Sequence, residues 1–221
     1  ARAFYEEYQV KSWVLGKYMS GPSCYSNITN YRNHPKMDTE DVLLKAVKKL
    51  SGKYKDKKIL AIGCGDSYVE TISKIKDKFP DNVIAPYISH GLMEQLILKE
   101  NFYKMCEKHG IDYPATLVYS QDMGMNVDVK FQYPVILKPS NGVDYFHHPF
   151  EGQNKIYKLN SLEEVKKTIR DIYASGYSDK LIIQDMIPGN DEYMRVLTCY
   201  SDKNHKVKMM CLGHVLLEEH T

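Results

Sequence analysis

The stretch Tyr133-Pro134-Val135-Ile136-Leu137-Lys138-Pro139-Ser140-Asn141-Gly142 decides how the rest of the chain is read. Three branched apolar residues set between prolines predict a short buried strand over 135–137. Lys138 ends that strand. An ammonium there must face solvent, a cavity or an anion, because an unpaired buried charge is costly. The polar segment that follows can offer backbone N–H groups to a phosphate. Equally, Lys138 can snorkel from a strand end into water, and this stretch alone leaves both readings open.

Working outward, Leu181-Ile182-Ile183-Gln184-Asp185-Met186-Ile187-Pro188-Gly189 reads as a strand that runs into a turn. Between the two, Lys155 to Leu159 reads as a hairpin partner and Leu162 to Ala174 as a helix. Leu162, Val165, Ile169 and Ile172 form the helix's inner face, Ser161 and Glu164 form a capping box, and Gly176 marks the end. Upstream, a helical pattern from Gly91 carries Leu92, Leu96, Lys99, Tyr103 and Cys106 near one face. Taken alone, Lys99 is a surface lysine on a basic helix that also holds Lys104 and Lys108. It is followed eleven positions on by Gly110-Ile111-Asp112-Tyr113-Pro114-Ala115-Thr116.

A helix lysine, a Gly-Ile…Pro…Thr turn, a strand ending in lysine, a polar loop and a later hinge strand, in that order, resemble the ATP-grasp ligases. The likeness runs over most of the chain. It is nearest to the branch of carboxylate–amine ligases that includes D-aspartate ligase and carbamoyl-phosphate-synthase-like proteins. It implies an α/β fold: an N-terminal pre-ATP-grasp, Rossmann-like domain over residues 1–94, then an incomplete α+β ATP-grasp domain over 95–221. The latter would comprise the first lobe and the start of the second. The implied activity is ATP-dependent carboxylate–amine (or carboxylate–thiol) ligation through an acyl phosphate, on small-molecule carboxylate and amine substrates.

By the same resemblance, Lys99 and Lys138 neutralise ATP phosphates, and Ser140 opens the phosphate loop. Asp185, Met186 and Ile187 hold adenine, with Met186 and Ile187 as apolar walls. Gln184 stands where the family's hinge strand ends in an acidic or amide residue. Asp191, seven residues on, falls where relatives place an acid on the ribose; its other reading, with Glu192, is an ordinary turn carboxylate. A basic residue such as Arg195 or Lys208 in the following strands can reach a phosphate. The implied cofactors are ATP and Mg²⁺, with the metal ligands expected beyond residue 221 and no catalytic residue assigned within the chain. Glu218 and Glu219 are read as solvated. The chain departs from the family at 140–154, which is poor in glycine and rich in aromatics (Tyr145, Phe146, Phe150). His147 and His148 there are read as solvated loop residues, since adjacent histidines seldom share an ion without a third ligand.

The remaining sequence fills in the front half. Residues 3–8 read as the end of a helix, Val10 to Leu15 as a strand, and Tyr25 to Met37 as a polar loop. Asp38 is expected to cap a helix with Val42, Leu43, Ala46, Val47 and Leu50 on one face, and Gly52 to end it. Lys58 to Gly63 predicts a buried strand, and Asn82 to Ile88 is a further strand candidate. Between them Gly63-Cys64-Gly65-Asp66-Ser67 leads into a helix from Tyr68 to Phe79, with Ser67 and Glu70 as a capping box. Ile62-Gly63-Cys64-Gly65 also resembles the first motif of Rossmann-type methyltransferases, but a serine stands where that motif has a further glycine. The alternatives are therefore a tight strand–helix turn and an S-adenosylmethionine cradle; a non-catalytic nucleotide-binding module is a third. Tyr193 to Tyr200 and Lys206 to Leu217 read as a hairpin.

Bulk properties restrict the function classes. The 221 residues suffice for one large or two small domains. A net charge of +2 gives no steering toward nucleic acid. No apolar run approaches the roughly 20 residues that span a bilayer. Five cysteines without metal-ligand spacing suggest reduced thiols in a cytoplasm. Small-molecule substrates are expected, with neither nucleic acid nor membrane as partner, and a homo-oligomer is left open. The chain opens on a helical pattern with no strand before it and closes inside a hairpin pattern. We therefore expect a piece of a longer protein, inactive alone and with at most weak nucleotide affinity.

Overall fold

The computed structural model describes residues 1–216, the side chains of Val143 and Asp191 excepted. The expectation for Glu218 and Glu219 lies outside the described residues. The chain divides into two units, Ala1–Leu96 and the residues from Ile97 onward.

In the first unit, α1 (Arg2–Tyr8) leads to β1 (Ser12–Gly16), which pairs in parallel with β2 (Thr29–Asn33). The segment expected to be loop thus holds a strand. Thr29-Asn30-Tyr31-Arg32-Asn33 shows no apolar alternation, and only its pairing with Ser12–Gly16 makes it β. Next come α2 (Glu40–Lys53), β3 (Ile59–Leu60), α3 (Asp66–Ile75), β4 (Val83–Ile84) and α4 (His90–Ile97). β3 and β4 pair in parallel. The core gathers Met37, Leu43, Val47, Ile72 and Ile75, so the apolar stripes of α2 and α3 face each other across it.

Several local expectations for this unit are corrected. Asp38 does not cap α2. Its carboxylate accepts from Lys17 Nζ at 2.8 Å, and Thr39 holds the N-cap position without a side-chain bond. α2 runs through Gly52 and ends at Lys53, with Tyr54 as its cap, because Leu50 and Ser51 are still buried in that last turn. α3 begins at Asp66 with Gly65 before it and no side-chain cap; Glu70 pairs with Lys74 instead. β3 is only two residues long, and Leu60 and Ile62 are exposed, so the expected buried strand over 58–63 is shorter and more open.

The second unit is built on one antiparallel sheet. α5 (Lys99–His109) precedes β5 (Thr116–Tyr119), β6 (Val135–Pro139), α6 (Gly142–Phe146), β7 (Tyr157–Leu159), α7 (Leu162–Ala174) and β8 (Leu181–Asp185). The strand order is β5-β8-β6-β7. Strand alternation then decides the two faces. Val135, Leu137 and Pro139 are buried, with Ile136 and Lys138 turned the other way. Val135 and Leu137 pack with Val165, Ile169, Ile172, Leu181 and Ile183 in the main core. α7 starts as its sequence predicts: Ser161 Oγ accepts from Glu164 N at 3.2 Å. The return bond differs from a capping box, since Glu164 Oε2 accepts from Asn160 N rather than from the cap residue. β9 (Arg195–Ser201) and β10 (Val207–His214) form a separate antiparallel hairpin whose residues are almost all exposed. The helix expected from Gly91 through Cys106 is broken at Leu98, so Lys99 is the first residue of α5.

Candidate functional site

Register places the polar face of the sheet. Ile136 lies opposite Gln184, Lys138 opposite Ile182, and on the far side Thr116 opposite Gln184. Lys138, Gln184 and Thr116 therefore share the face turned away from α7. Gln184 is buried, and its amide is fully directed. Its Nε2 donates to Thr116 Oγ1 at 2.7 Å, while Thr116 Oγ1 donates to the Pro114 carbonyl at 2.7 Å. That fixes Oε1 toward the two remaining donors, Lys138 Nζ at 3.0 Å and Tyr103 Oη at 3.3 Å. Tyr103 in turn stacks on Tyr113, with ring centroids 5.3 Å apart. An amide carbonyl holds the Lys138 ammonium in place but does not neutralise it.

Lys99 meets the same end of β6. Its Nζ donates to the carbonyl oxygen of Ser140, two residues past Lys138, at 3.2 Å. Burial pulls the Lys99 pKa below the ordinary lysine value, and the neighbouring ammoniums of Lys138 and Lys155 push it the same way. Among the described residues, none of these three lysines forms an ion pair with a carboxylate. Lys180, by contrast, is paired with Glu100 at 2.7 Å. Lys99 and Lys138 thus meet at one end of β6 with no carboxylate paired to either among the described residues, and with Lys99 partly desolvated, which suits a polyanion.

The loop after Lys138 is organised differently from an open backbone cradle. Ser140 N–H donates to the Lys180 carbonyl at 2.9 Å and Asn141 N–H to Tyr177 Oη at 3.3 Å. Asn141 Oδ1 takes the Asp144 N–H. These N–H groups are committed within the protein, which leaves the Ser140 hydroxyl as that residue's available group. Tyr145 is fully buried beneath the loop, and burial raises its pKa and that of Tyr177, the latter to about 12. His148 Nδ1 lies 3.0 Å from the Asp144 carbonyl, and its ring packs against Gly176, where a Cβ would come within 3.1 Å. Gly176 also has φ +100, so its glycine serves both the turn and the histidine.

At the hinge, β8 ends at Asp185, whose N–H donates to the Ala115 carbonyl at 2.8 Å. Met186 and Ile187 lie past the ladder, and their backbone groups enter no other backbone hydrogen bond among the described residues. A groove of about 410 Å³ opens here, lined by Gln132, Tyr133, Pro134, Asp185, Met186 and Pro188. Met186 is half-buried, whereas Ile187 is 69% exposed and is not part of that lining. The structure thus brings together Lys99, Lys138, Ser140 and Gln184 at one end of β6 and β8. Asp185 and Met186 line the hinge groove, in which no lysine takes part. The Asp191 side chain is outside the described residues. Sequence inspection missed Tyr103, Thr116 and Lys155. The first two are tied to Gln184 across 81 and 68 residues of chain, a distance at which no local pattern signals contact.

In the first unit, Gly63 is required by packing: a Cβ there would lie 2.9 Å from Val69 N and Cγ2. Its N–H donates to Tyr87 Oη at 2.7 Å. That is the geometry of a tight strand–helix turn, with the glycine's close neighbour on the following helix. Among the described residues, no group of three or more His, Cys, Asp or Glu side chains could hold a metal ion. No described helix is long and apolar enough to cross a membrane.

No family model matches the chain. Along its whole length, however, it aligns with a D-aspartate ligase from Enterococcus faecium (strain Aus0004), at 40% identity over 228 residues. That alignment takes in 54% of the relative, so the chain spans about half the length of the curated protein it matches. Among solved structures, the L-amino acid ligase from Bacillus licheniformis superposes with a TM-score of 0.60 and 12% identity, over 96% of this chain and 46% of that one. The biotin carboxylase from Campylobacter jejuni gives a TM-score of 0.61 and 12% identity, over 93% of this chain and 46% of that one. At such identities these structures speak to the fold alone, and the fold they share with the chain is that of the ATP-grasp enzymes. With a D-aspartate ligase 40% identical along the whole chain beside them, the chain is similar to the carboxylate–amine ligases in sequence and to the ATP-grasp enzymes in fold.

Proposed function

We propose that this chain carries the nucleotide-binding half of an ATP-dependent carboxylate–amine ligase. Residues 1–94 would form its pre-ATP-grasp domain. Residues 95–221 would hold the first ATP-grasp lobe and the start of the second, the β9–β10 hairpin. The observation that carries the reading is the meeting of Lys99 and Lys138, without a carboxylate partner among the described residues, at the end of the sheet whose next strand runs into the hinge. The triphosphate of ATP is a ligand of matching charge.

In this assignment Lys99 and Lys138 hold phosphate oxygens, the Ser140 hydroxyl adds a neutral contact, and Gln184 fixes the Lys138 ammonium. Met186 packs on adenine, and the free backbone groups of Met186 and Ile187 read its edge. Ile187, exposed as it stands, closes on the base only when the base is bound. Asp191 is assigned to the ribose. In the reaction, a substrate carboxylate oxygen attacks the γ-phosphorus and the bond to the β-phosphate bridging oxygen breaks. ADP leaves and an acyl phosphate remains. An amine nitrogen then attacks the acyl carbon, and inorganic phosphate departs with the proton balance met by solvent. The lysines contribute by positioning and by offsetting charge on the transferred group. Mg²⁺ belongs to this chemistry, but the described residues do not assemble a site for it, and no step is drawn through it. The name of the matched relative makes D-aspartate the substrate to test first.

Calorimetric titration separates this reading from a methyltransferase-like one. The chain is expected to bind Mg-ATP and to ignore S-adenosylmethionine, with ADP release in the intact enzyme depending on D-aspartate and an amine acceptor. Binding of S-adenosylmethionine in place of ATP would refute the assignment.

A further inference from the structure

The loop from Ser140 to Asn154 ends in a closed ring of hydrogen bonds. Tyr145 Oη donates to the Asn154 carbonyl at 2.8 Å. Asn154 N–H donates to Tyr157 Oη at 2.9 Å, and the two tyrosine hydroxyls are 2.7 Å apart. Each hydroxyl therefore has one donor and one acceptor partner, with Tyr157 donating to Tyr145. Gln153 Nε2 adds a bond to the Tyr145 carbonyl at 3.0 Å. Tyr145 sits wholly inside the core, in edge-to-face contact with Tyr177 and Phe150. Tyr157 is anchored from the other side, in the β7 register opposite Leu137. Asn154 is thus pinned at both its N–H and its C=O, to groups that belong to the rigid sheet and core.

The next residue is Lys155. It lies between the pinned Asn154 and β7, two positions before the residue paired with Leu137, and so beside the end of β6 that carries Lys138. It is exposed and has no carboxylate partner among the described residues. We propose that Lys155 is a third phosphate-binding cation, held at the mouth of the site by the Tyr145–Tyr157 hydroxyl pair rather than carried in by closure of a flexible loop. The proposal rests on the nucleotide reading above. It also gives the aromatic, glycine-poor composition of the loop a purpose: aromatic anchors preorganise a cation where a mobile loop would have to be ordered on binding. The influence of Lys155 on the titration of Lys99 agrees with that placement.

The test is calorimetry on the chain with Mg-ATP and with adenosine, for wild type, Lys155→Ala, Tyr157→Phe, the double variant and Lys138→Met. Lys155→Ala should weaken ATP about tenfold, the weight of one charge-assisted contact partly open to water, and leave adenosine unchanged. Tyr157→Phe, which keeps the ring, should lose a severalfold share of ATP affinity and leave adenosine binding unchanged. The double variant should be no weaker than Lys155→Ala alone, since both act through the same ammonium. If Lys138→Met loses ATP and Lys155→Ala binds like wild type, the role of Lys155 is overturned while the nucleotide site stands. If Tyr157→Phe and Lys155→Ala add in full, the positioning role of the tyrosines is overturned. If wild type binds no ATP, both readings fall.

Discussion

Replacing Lys138 by methionine separates a binding role from a structural one, because the two predict opposite outcomes. The substitution keeps the side chain's length and apolar stem and removes its charge. In the free chain two terms then change. The 3.0 Å bond from Nζ to Gln184 Oε1 is lost, but that oxygen keeps Tyr103 as a donor, so no buried acceptor is stranded. Repulsion with Lys99 is relieved. Two unit charges at about 4 Å repel by about 1 kcal/mol in water and about 4 kcal/mol near a protein surface, and the repulsion falls with separation. The two terms oppose each other, and the net change in stability should be under about 1 kcal/mol, with the Lys99 pKa moving back up. ATP binding has no such compensation. One charge-assisted contact to phosphate is worth roughly 1.5–3 kcal/mol, or a loss of about ten- to a hundredfold in affinity. Urea denaturation and calorimetry on the same protein read both quantities. A variant destabilised by more than about 3 kcal/mol that still binds ATP like wild type would refute the reasoning and make Lys138 a structural residue.

Two further outcomes follow from the same network. Thr116→Val removes the hydroxyl that takes the Gln184 amide and strands a buried N–H, so the chain should lose about 1–3 kcal/mol in denaturant melts. The ATP affinity of that variant should also fall, as Gln184 loosens its hold on Lys138. The depressed pKa of Lys99 sets a pH dependence. Its folded value lies below the ordinary 10.5, so protonating it costs stability at neutral pH. That cost fades as pH rises through the folded value toward 10.5. Phosphate needs the ammonium, so ATP affinity should decline over the same interval, beginning below pH 10.5, and Lys99→Met should flatten the decline. A pH profile unchanged by that substitution would count against Lys99 as a ligand.

The second unit was legible in the sequence to an unusual depth because its signals are local. Branched residues between prolines gave β6. The 3.6-residue stripe with Ser161 before it gave α7 to the residue. A lysine at a strand end and a hinge of apolar residues required only adjacency along the chain. The first unit was less legible because its elements are decided by contacts between distant segments. β2 is polar throughout and is a strand only because β1 runs beside it. Asp38 looked like a cap, but its carboxylate is drawn to Lys17, 21 residues away. Gly52 looked like a stop, but burial of Leu50 and Ser51 carries α2 past it. The site shows the same division. Lys99, Lys138 and Gln184 could be named from pattern, whereas the partners that orient Gln184 come from α5 and β5. The commitment of Ser140 and Asn141 N–H groups to Lys180 and Tyr177 likewise has no sequence signature, since it depends on how α7 returns the chain to the sheet.

The account stands or falls on where a nucleotide sits, and a crystal structure of the chain with Mg²⁺ and a non-hydrolysable ATP analogue shows that directly. The prediction is phosphate oxygens within hydrogen-bond reach of Lys99 and Lys138 Nζ, and adenine against Met186 with its edge on the backbone of residues 185–187. An analogue bound elsewhere, with the lysines at the end of β6 facing only solvent, would contradict it.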